Sequence, residues 1–134
     1  MTDDRRMQSF ETPTPVRLRV DIPKGRIRIV AEETGATRVE LLAVHGDATA
    51  RAWIADAEIT QVCEEISVRV RKTGPRLFGI GGAIHAEVHL PLSSAVKLST
   101  GSGRIETVGR LGEVSASSGS GVVKLDDCAE NHTK

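Results

Sequence analysis

Aromatic side chains are nearly missing from this 134-residue chain, which has no tyrosine, one tryptophan and two phenylalanines. That excludes a core of stacked rings, and it removes the aromatic platforms on which sugar rings or unstacked bases lie. An excess of either charge is missing too: 18 Lys and Arg face 18 Asp and Glu, so no long-range field gathers nucleic acid or an anionic membrane. No apolar run approaches the roughly 18 residues of a spanning helix. The opening residues, Met1 to Met7, lack the apolar stretch of a signal peptide, so the expected location is the cytoplasm. Cysteine occurs only at Cys63 and Cys128, far apart and without metal-type spacing, and in a reducing compartment both are free thiols.

What is present is an internal echo. Residues Val96 to Ile105 return as Val114 to Val123, with Leu98 answering to Ala116, Gly101 to Gly119 and Gly103 to Gly121. Each copy has alternating small or apolar residues, then Gly-Ser-Gly, then a β-branched residue two places on. A constant 18-residue offset of this kind reads as one coil of a β-solenoid, a unit that stacks on its neighbours. The implied core is an aliphatic ladder of Val96, Leu98, Ile105, Val114, Ala116 and Val123, with Ser99 and Thr100 at corners and outward faces.

Upstream, Val16, Leu18, Val20 and Ile22 alternate with Arg17, Arg19 and Asp21, the pattern of a half-buried strand. Turn chemistry at Pro23, Lys24 and Gly25 and renewed alternation from Arg26 to Ile29 predict a hairpin. A third strand is expected over 37–44. Asp47 is a good N-cap for an Ala-rich helix over 47–57 that buries Trp53. Paired strands follow at 59–63 and 66–72, and another runs from Ile84 to Pro91. The expected architecture is all-β: antiparallel hairpins plus one short helix leading into a short β-solenoid with an 18-residue coil. Its boundaries are a disordered tail at 1–9, a β-rich domain at 10–128 (hairpin region 10–95, solenoid coils 96–128) and a polar tail at 129–134.

Several segments together carry a resemblance: Gln8 to Pro13, Lys24 to Ile29, Leu77 to Gly79, His89 to Pro91, and Gly109 to Glu113. Over residues 8–127 they resemble the bacterial putative-adhesin family, many of whose members come from actinobacteria. The resemblance implies a fold of β-strand repeats, usually several coils longer than here. It implies no activity, because the family has no established function and the matching motifs are structural.

Candidate chemistry is sparse. His85, Glu87 and His89 share one face of a strand, but three ligands at alternate positions spread over roughly 13 Å, too wide for one ion. The solvent face of a strand is the simpler reading. The Gly-Ser-Gly turns lack the Lys-Ser/Thr and the helix of a phosphate loop. Arg17, Arg19, Arg26 and Arg28 are expected on one face of the first hairpin, neutralised across strands by Asp21, Glu32, Glu33 and Glu40. Glu106, Glu113, Asp126 and Asp127 do not make a glycosidase groove. The expectation is a non-enzyme with no cofactor, no metal and no evident small-molecule substrate.

Leu77, Phe78 and Ile80 stand in a Gly-rich loop, where they serve either as a lid over the core or as a partner-docking site. Val123 and Leu125 mark the open edge of the last coil, which suits self-association. The expected function is therefore a non-catalytic scaffold or protein-interaction module that forms a homo-oligomer or meets a protein partner. A surface adhesin or carbohydrate binder is one alternative. An enzyme with an inter-subunit site around His85, Glu87 and His89 is the other.

Overall fold

Alternation of aliphatic and polar residues, repeated along nearly the whole chain, produces two stacked six-stranded sheets whose inner faces are built from Val, Ile, Leu and Ala. The computed structural model describes residues 5–44, 48–71, 83–119, 121–124 and 128–133. The strands are β1 (Arg5–Glu11), β2 (Arg17–Ile22), β3 (Gly25–Glu32), β4 (Ala36–Ala43), β5 (Glu58–Val62), β6 (Glu65–Arg69), β7 (Ile84–Pro91), β8 (Ala95–Thr100), β9 (Gly103–Val108), β10 (Leu111–Ser118), β11 (Gly121–Lys124) and β12 (Cys128–Thr133). One helix, α1 (Ala48–Ala55), lies within the span expected for it. Sheet A has the order β1-β4-β7-β3-β9-β11 and sheet B the order β12-β10-β8-β2-β6-β5. Both sheets are mixed: β4 runs antiparallel to β1 and β7, β5 runs antiparallel to β6, and the remaining pairings are parallel.

The expected hairpin of β2 and β3 does not form. The chain turns a corner at Pro23 and Lys24 and carries β3 into the other sheet, so the two strands face each other across the core instead of sharing hydrogen bonds. Gly25 makes the corner with φ +135, and its N–H donates to the Ser102 carbonyl at 2.9 Å, in the corner stacked beside it. The 18-residue echo becomes physical pairing: Val114 lies against Val96 and Gly121 against Gly103, both in parallel register. The same register extends to the first strands, for Arg17 pairs with Ala95 and Gly25 with Gly103, 78 residues on in both cases. The short-range hairpin of β5 and β6 does form, closed by Cys63 at φ 55 and Glu64.

Rows of inward side chains run across the strands. Ile66, Leu18, Val96 and Val114 make one such row in sheet B, and Ala86, Ile27, Ile105 and Val123 make one in sheet A. Every ladder residue expected to be inside is buried except Val123, which is partly covered. Thr100, expected at an outward corner, is buried at 2% exposure, and its hydroxyl donates to the Ser102 carbonyl at 3.1 Å. A buried serine secures a second corner: the Ser94 hydroxyl donates to the Pro91 carbonyl at 2.8 Å and accepts from the Val16 N–H at 3.0 Å.

Two segments read as tails are strands. Residues 5–9 belong to β1, paired with β4 from Arg5↔Leu42 onward, and residues 129–133 belong to β12, paired in parallel with β10. Edge strands need only one half-covered face, so their sequences carry little apolar alternation. The Arg6 guanidinium donates to the carbonyls of Ile54 at 3.1 Å and Ala57 at 2.6 Å, satisfying the C-terminal end of α1. The helix packs on β1 and β4 and buries Trp53, as expected.

A Cβ at Gly103 would overlap the Gly25 carbonyl oxygen, and its φ of +135 disfavours any L side chain, whereas a Cβ at Gly35 meets nothing within 4 Å. Gly103→Ala should therefore lower stability by about 2–3 kcal/mol, while Gly35→Ala should stay within about 1 kcal/mol of the parent. Urea midpoints of the two variants check this; equal midpoints would show that the corner is slack.

Candidate functional site

Two flat outer faces are what the fold offers to a ligand, and they differ in how their charges are arranged. The four arginines expected on one hairpin face are divided between them, because β2 and β3 lie in different sheets: Arg17 and Arg19 face outward from sheet B, Arg26 and Arg28 from sheet A.

On sheet A, register places Glu40, Glu87, Arg28, Glu106 and Lys124 in one row across five strands. Arg28 bonds Glu87 at 2.9 Å and approaches Glu106 at 3.9 Å, while Arg26 bonds Glu106 at 3.0 Å. His89 lies between Glu32 at 3.1 Å and Glu87 at 3.3 Å, and Glu40 meets Arg5 at 4.0 Å. The neutralising acids for Arg26 and Arg28 are thus Glu87 and Glu106, whereas Glu32 and Glu40 serve His89 and Arg5. Neither Glu87 nor Glu106 is near the arginines in sequence, and only the strand register reveals them.

Burial pushes the Glu87 carboxyl up, but hydrogen bonds from Arg28 and His89, with their charges, outweigh it and hold the group below its ordinary value. The hydrogen bond from Arg26 does the same for Glu106 against a smaller burial cost. His85, Glu87 and His89 do line one face of β7. His89 turns to the carboxylates, while His85 leaves its Nε2 covered and without a hydrogen-bond partner. Among the described residues no three His, Cys, Asp or Glu side chains converge on a metal position.

On sheet B the rows read differently. Ser67, Arg19, Lys97 and Ser115 form the central row, with Glu65, Arg17, Ala95 and Glu113 on one side and Arg69, Asp21, Ser99 and Ser117 on the other. Among the described residues Arg17, Arg19, Arg69 and Lys97 form no ion pair, although Asp21, Glu65 and Glu113 stand nearby. Two shallow depressions, of about 500 and 300 Å³, meet at Arg19 and Lys97 and run across β6, β2, β8 and β10. Reading the sequence pointed to Arg17, Arg19 and an outward Ser99 but missed Lys97 and the other serines. Strand alternation marks these as outward, but only the register makes them neighbours.

Leu77, Phe78, Ile80 and Leu125 lie outside the described residues. Val123 is on β11, at one edge of sheet A, half-buried against the core. No helix among the described residues is long and apolar enough to cross a membrane.

Glu87 and Glu106 both have folded-state values below the unfolded one. Their contribution to stability is therefore complete above the ordinary glutamate value of about 4.3 and fades as pH falls through the folded values. Arg28→Ala should raise the Glu87 value and cost no more than about 1 kcal/mol at neutral pH, since the pair is partly solvated. Carboxyl NMR titration of both proteins reads the shift, and an unmoved Glu87 titration would show that Arg28 does not hold it.

No protein-family model matches the sequence, and no curated protein does either. Solved structures do match. A putative cell adhesion protein from Clostridium sporogenes superposes with a TM-score of 0.60 over 91% of this chain at 16% identity. A putative adhesin from Bacteroides fragilis does so with a TM-score of 0.54 over 92% at 13% identity. The chain spans 61% and 55% of the length of those two structures. At such identities the likeness establishes the fold: a mostly β, adhesin-like arrangement of mixed sheets with one short helix.

Proposed function

We propose that this chain is a non-catalytic interaction module of the adhesin type, built as a short two-sheet β-solenoid that presents rigid faces and edges to partners. The observation that carries this reading is the unbroken parallel register of Gly25, Gly103 and Gly121 at one corner and of Leu18, Val96 and Val114 in the core. A chain that repeats one layer in this way commits its residues to stacking and leaves function to its surfaces. The names of the two structural neighbours favour adhesion over catalysis. Self-association belongs to the same reading, since β11 has β9 as its single neighbour among the described residues and so offers a free row of backbone donors and acceptors.

The register is testable by cross-linking. With Cys63 and Cys128 replaced by Ser, Ser99→Cys with Ser117→Cys should oxidise to a disulfide, because these residues are direct partners on adjacent strands about 4.8 Å apart. Ser99→Cys with Ser115→Cys, displaced two residues along the strand, should not. Efficient cross-linking of the displaced pair alone would sink the solenoid.

Light scattering over a wide concentration range tests association. A dimer or larger species is expected, returning to monomer in Val123→Lys, which buries a charge behind the edge, with the far-UV circular dichroism retained. A strict monomer at every concentration would remove self-association from the function.

A further inference from the structure

We propose that the outer face of sheet B is a binding groove for a carboxylate-bearing polysaccharide, a polyuronate, with Arg19 and Lys97 holding its carboxylates. The proposal rests on the interaction-module reading and names that module's ligand class.

Its first support is the contrast between the two faces. At the centre of sheet A's outer face the charges are joined into a chain of ion pairs from Glu32 through His89, Glu87 and Arg28 to Glu106 and Arg26, with Arg38 and Arg104 outside it. Sheet B has acids within reach, yet Arg17, Arg19, Arg69 and Lys97 pair with none of them among the described residues. Arg19 and Lys97 stand side by side on adjacent strands at the junction of the two depressions. Two adjacent cations with no counter-ion repel each other, and an anion seated between them relieves that repulsion and gains charge-assisted hydrogen bonds.

The surroundings decide which anion fits. Ser67 and Ser115 flank the cation pair in its own row, and Ser99 and Ser117 continue the next row. Among the described residues Asp21, Glu65 and Glu113 put free carboxylate acceptors at the margins, open to a ligand's hydroxyls. Hydroxyls and carboxylates around a cationic centre match a ligand with sparse negative charge and many hydroxyls of its own. A nucleic acid backbone, with one charge per about 1.7 Å of duplex, demands a larger excess of cations than four against three acids, and with no aromatic side chain in the groove neither bases nor sugar rings can stack, so a sugar polymer is held here through its carboxylates and hydroxyls alone. A bilayer surface would call for several apolar side chains to insert, whereas the outward residues lining the depressions are Arg, Lys, Ser, Asp, Glu and Ala95, and the exposed Val62 stands apart on the edge strand β5. The groove also crosses the strands, so a polymer lying in it meets a new strand about every 4.8 Å.

Titrating the full chain with polygalacturonate tests this, with dextran, duplex DNA and phosphatidylserine vesicles in parallel. Polygalacturonate should bind in a salt-dependent manner and dextran should not. Arg19→Ser with Lys97→Ser should weaken binding by at least about tenfold, two charge-assisted contacts being lost. Arg38→Ser with Arg104→Ser, which removes the same charge from the outer face of sheet A, should leave binding unchanged. Equal binding by the groove variant, tighter binding of DNA or vesicles, or no binding of polygalacturonate overturns the proposal. Where the parent fails to bind polygalacturonate but the Ser99→Cys, Ser117→Cys disulfide forms, the polyuronate is wrong and the module stands. Where that disulfide fails as well, both fall.

Discussion

Everything in this structure is set by how closely the backbone approaches itself at one corner. Gly103 sits against Gly25, and Gly121 against Gly103, with no room for a Cβ between them and with φ between 135 and 143. At that contact the chain leaves sheet B for sheet A in three successive layers, and the contact admits a single alignment. A slip of one residue would place a side chain in the corner and turn each aliphatic ladder outward. The glycines therefore act as register pins, and the hydrophobic rows between the sheets follow from them.

The order of strands along the chain is not their order in space. The layer formed by β2 and β3 is made first and ends in the middle, with β6 and β7 added on one side and β8 and β9 on the other. The side built from β6 and β7 is closed by the antiparallel strands β4, β1 and β5 and by α1, whose last carbonyls are taken by Arg6. Antiparallel strands end a parallel stack without offering it a like-oriented neighbour. The two sides thus differ in kind: one finishes in antiparallel strands and a helix, the other in strands that continue the parallel ladder.

What could be read from the residues was whatever is local. The 18-residue echo, the alternation of β2, β3, β7 and β8, the helix with its buried Trp53 and the tight pairing of β5 with β6 all depend on neighbours within a few residues or one repeat. The 78-residue pairing of Arg17 with Ala95 has no such signal, because two alternating strands look alike whether they form a hairpin or stand in opposite sheets. The same limit assigned Arg26 and Arg28 the wrong acids, since Glu87 and Glu106 become their partners only through the register of three strands. β1 and β12 read as tails because an edge strand needs little apolar alternation. The putative-adhesin resemblance pointed to an adhesin-like β fold through the same structural motifs, and it was silent on the faces.

The faces depend on the corner in turn. Ser67, Arg19, Lys97 and Ser115 come from four strands separated by up to 96 residues, and none of them touches another in sequence. Their common row exists only because the corner glycines hold β2, β8 and β10 level and because β6 joins β2 at Leu18↔Ile66. On sheet A the same levelling brings opposite charges together, and the centre of the face neutralises itself. On sheet B it brings Arg19 beside Lys97, an arrangement that gives the free protein nothing through pairing. A register so tightly fixed keeps the two residues on neighbouring strands, and only their exposed side chains can swing apart. The rigidity that makes the stack stable is thus also what keeps that cationic pair poised for an anion from outside.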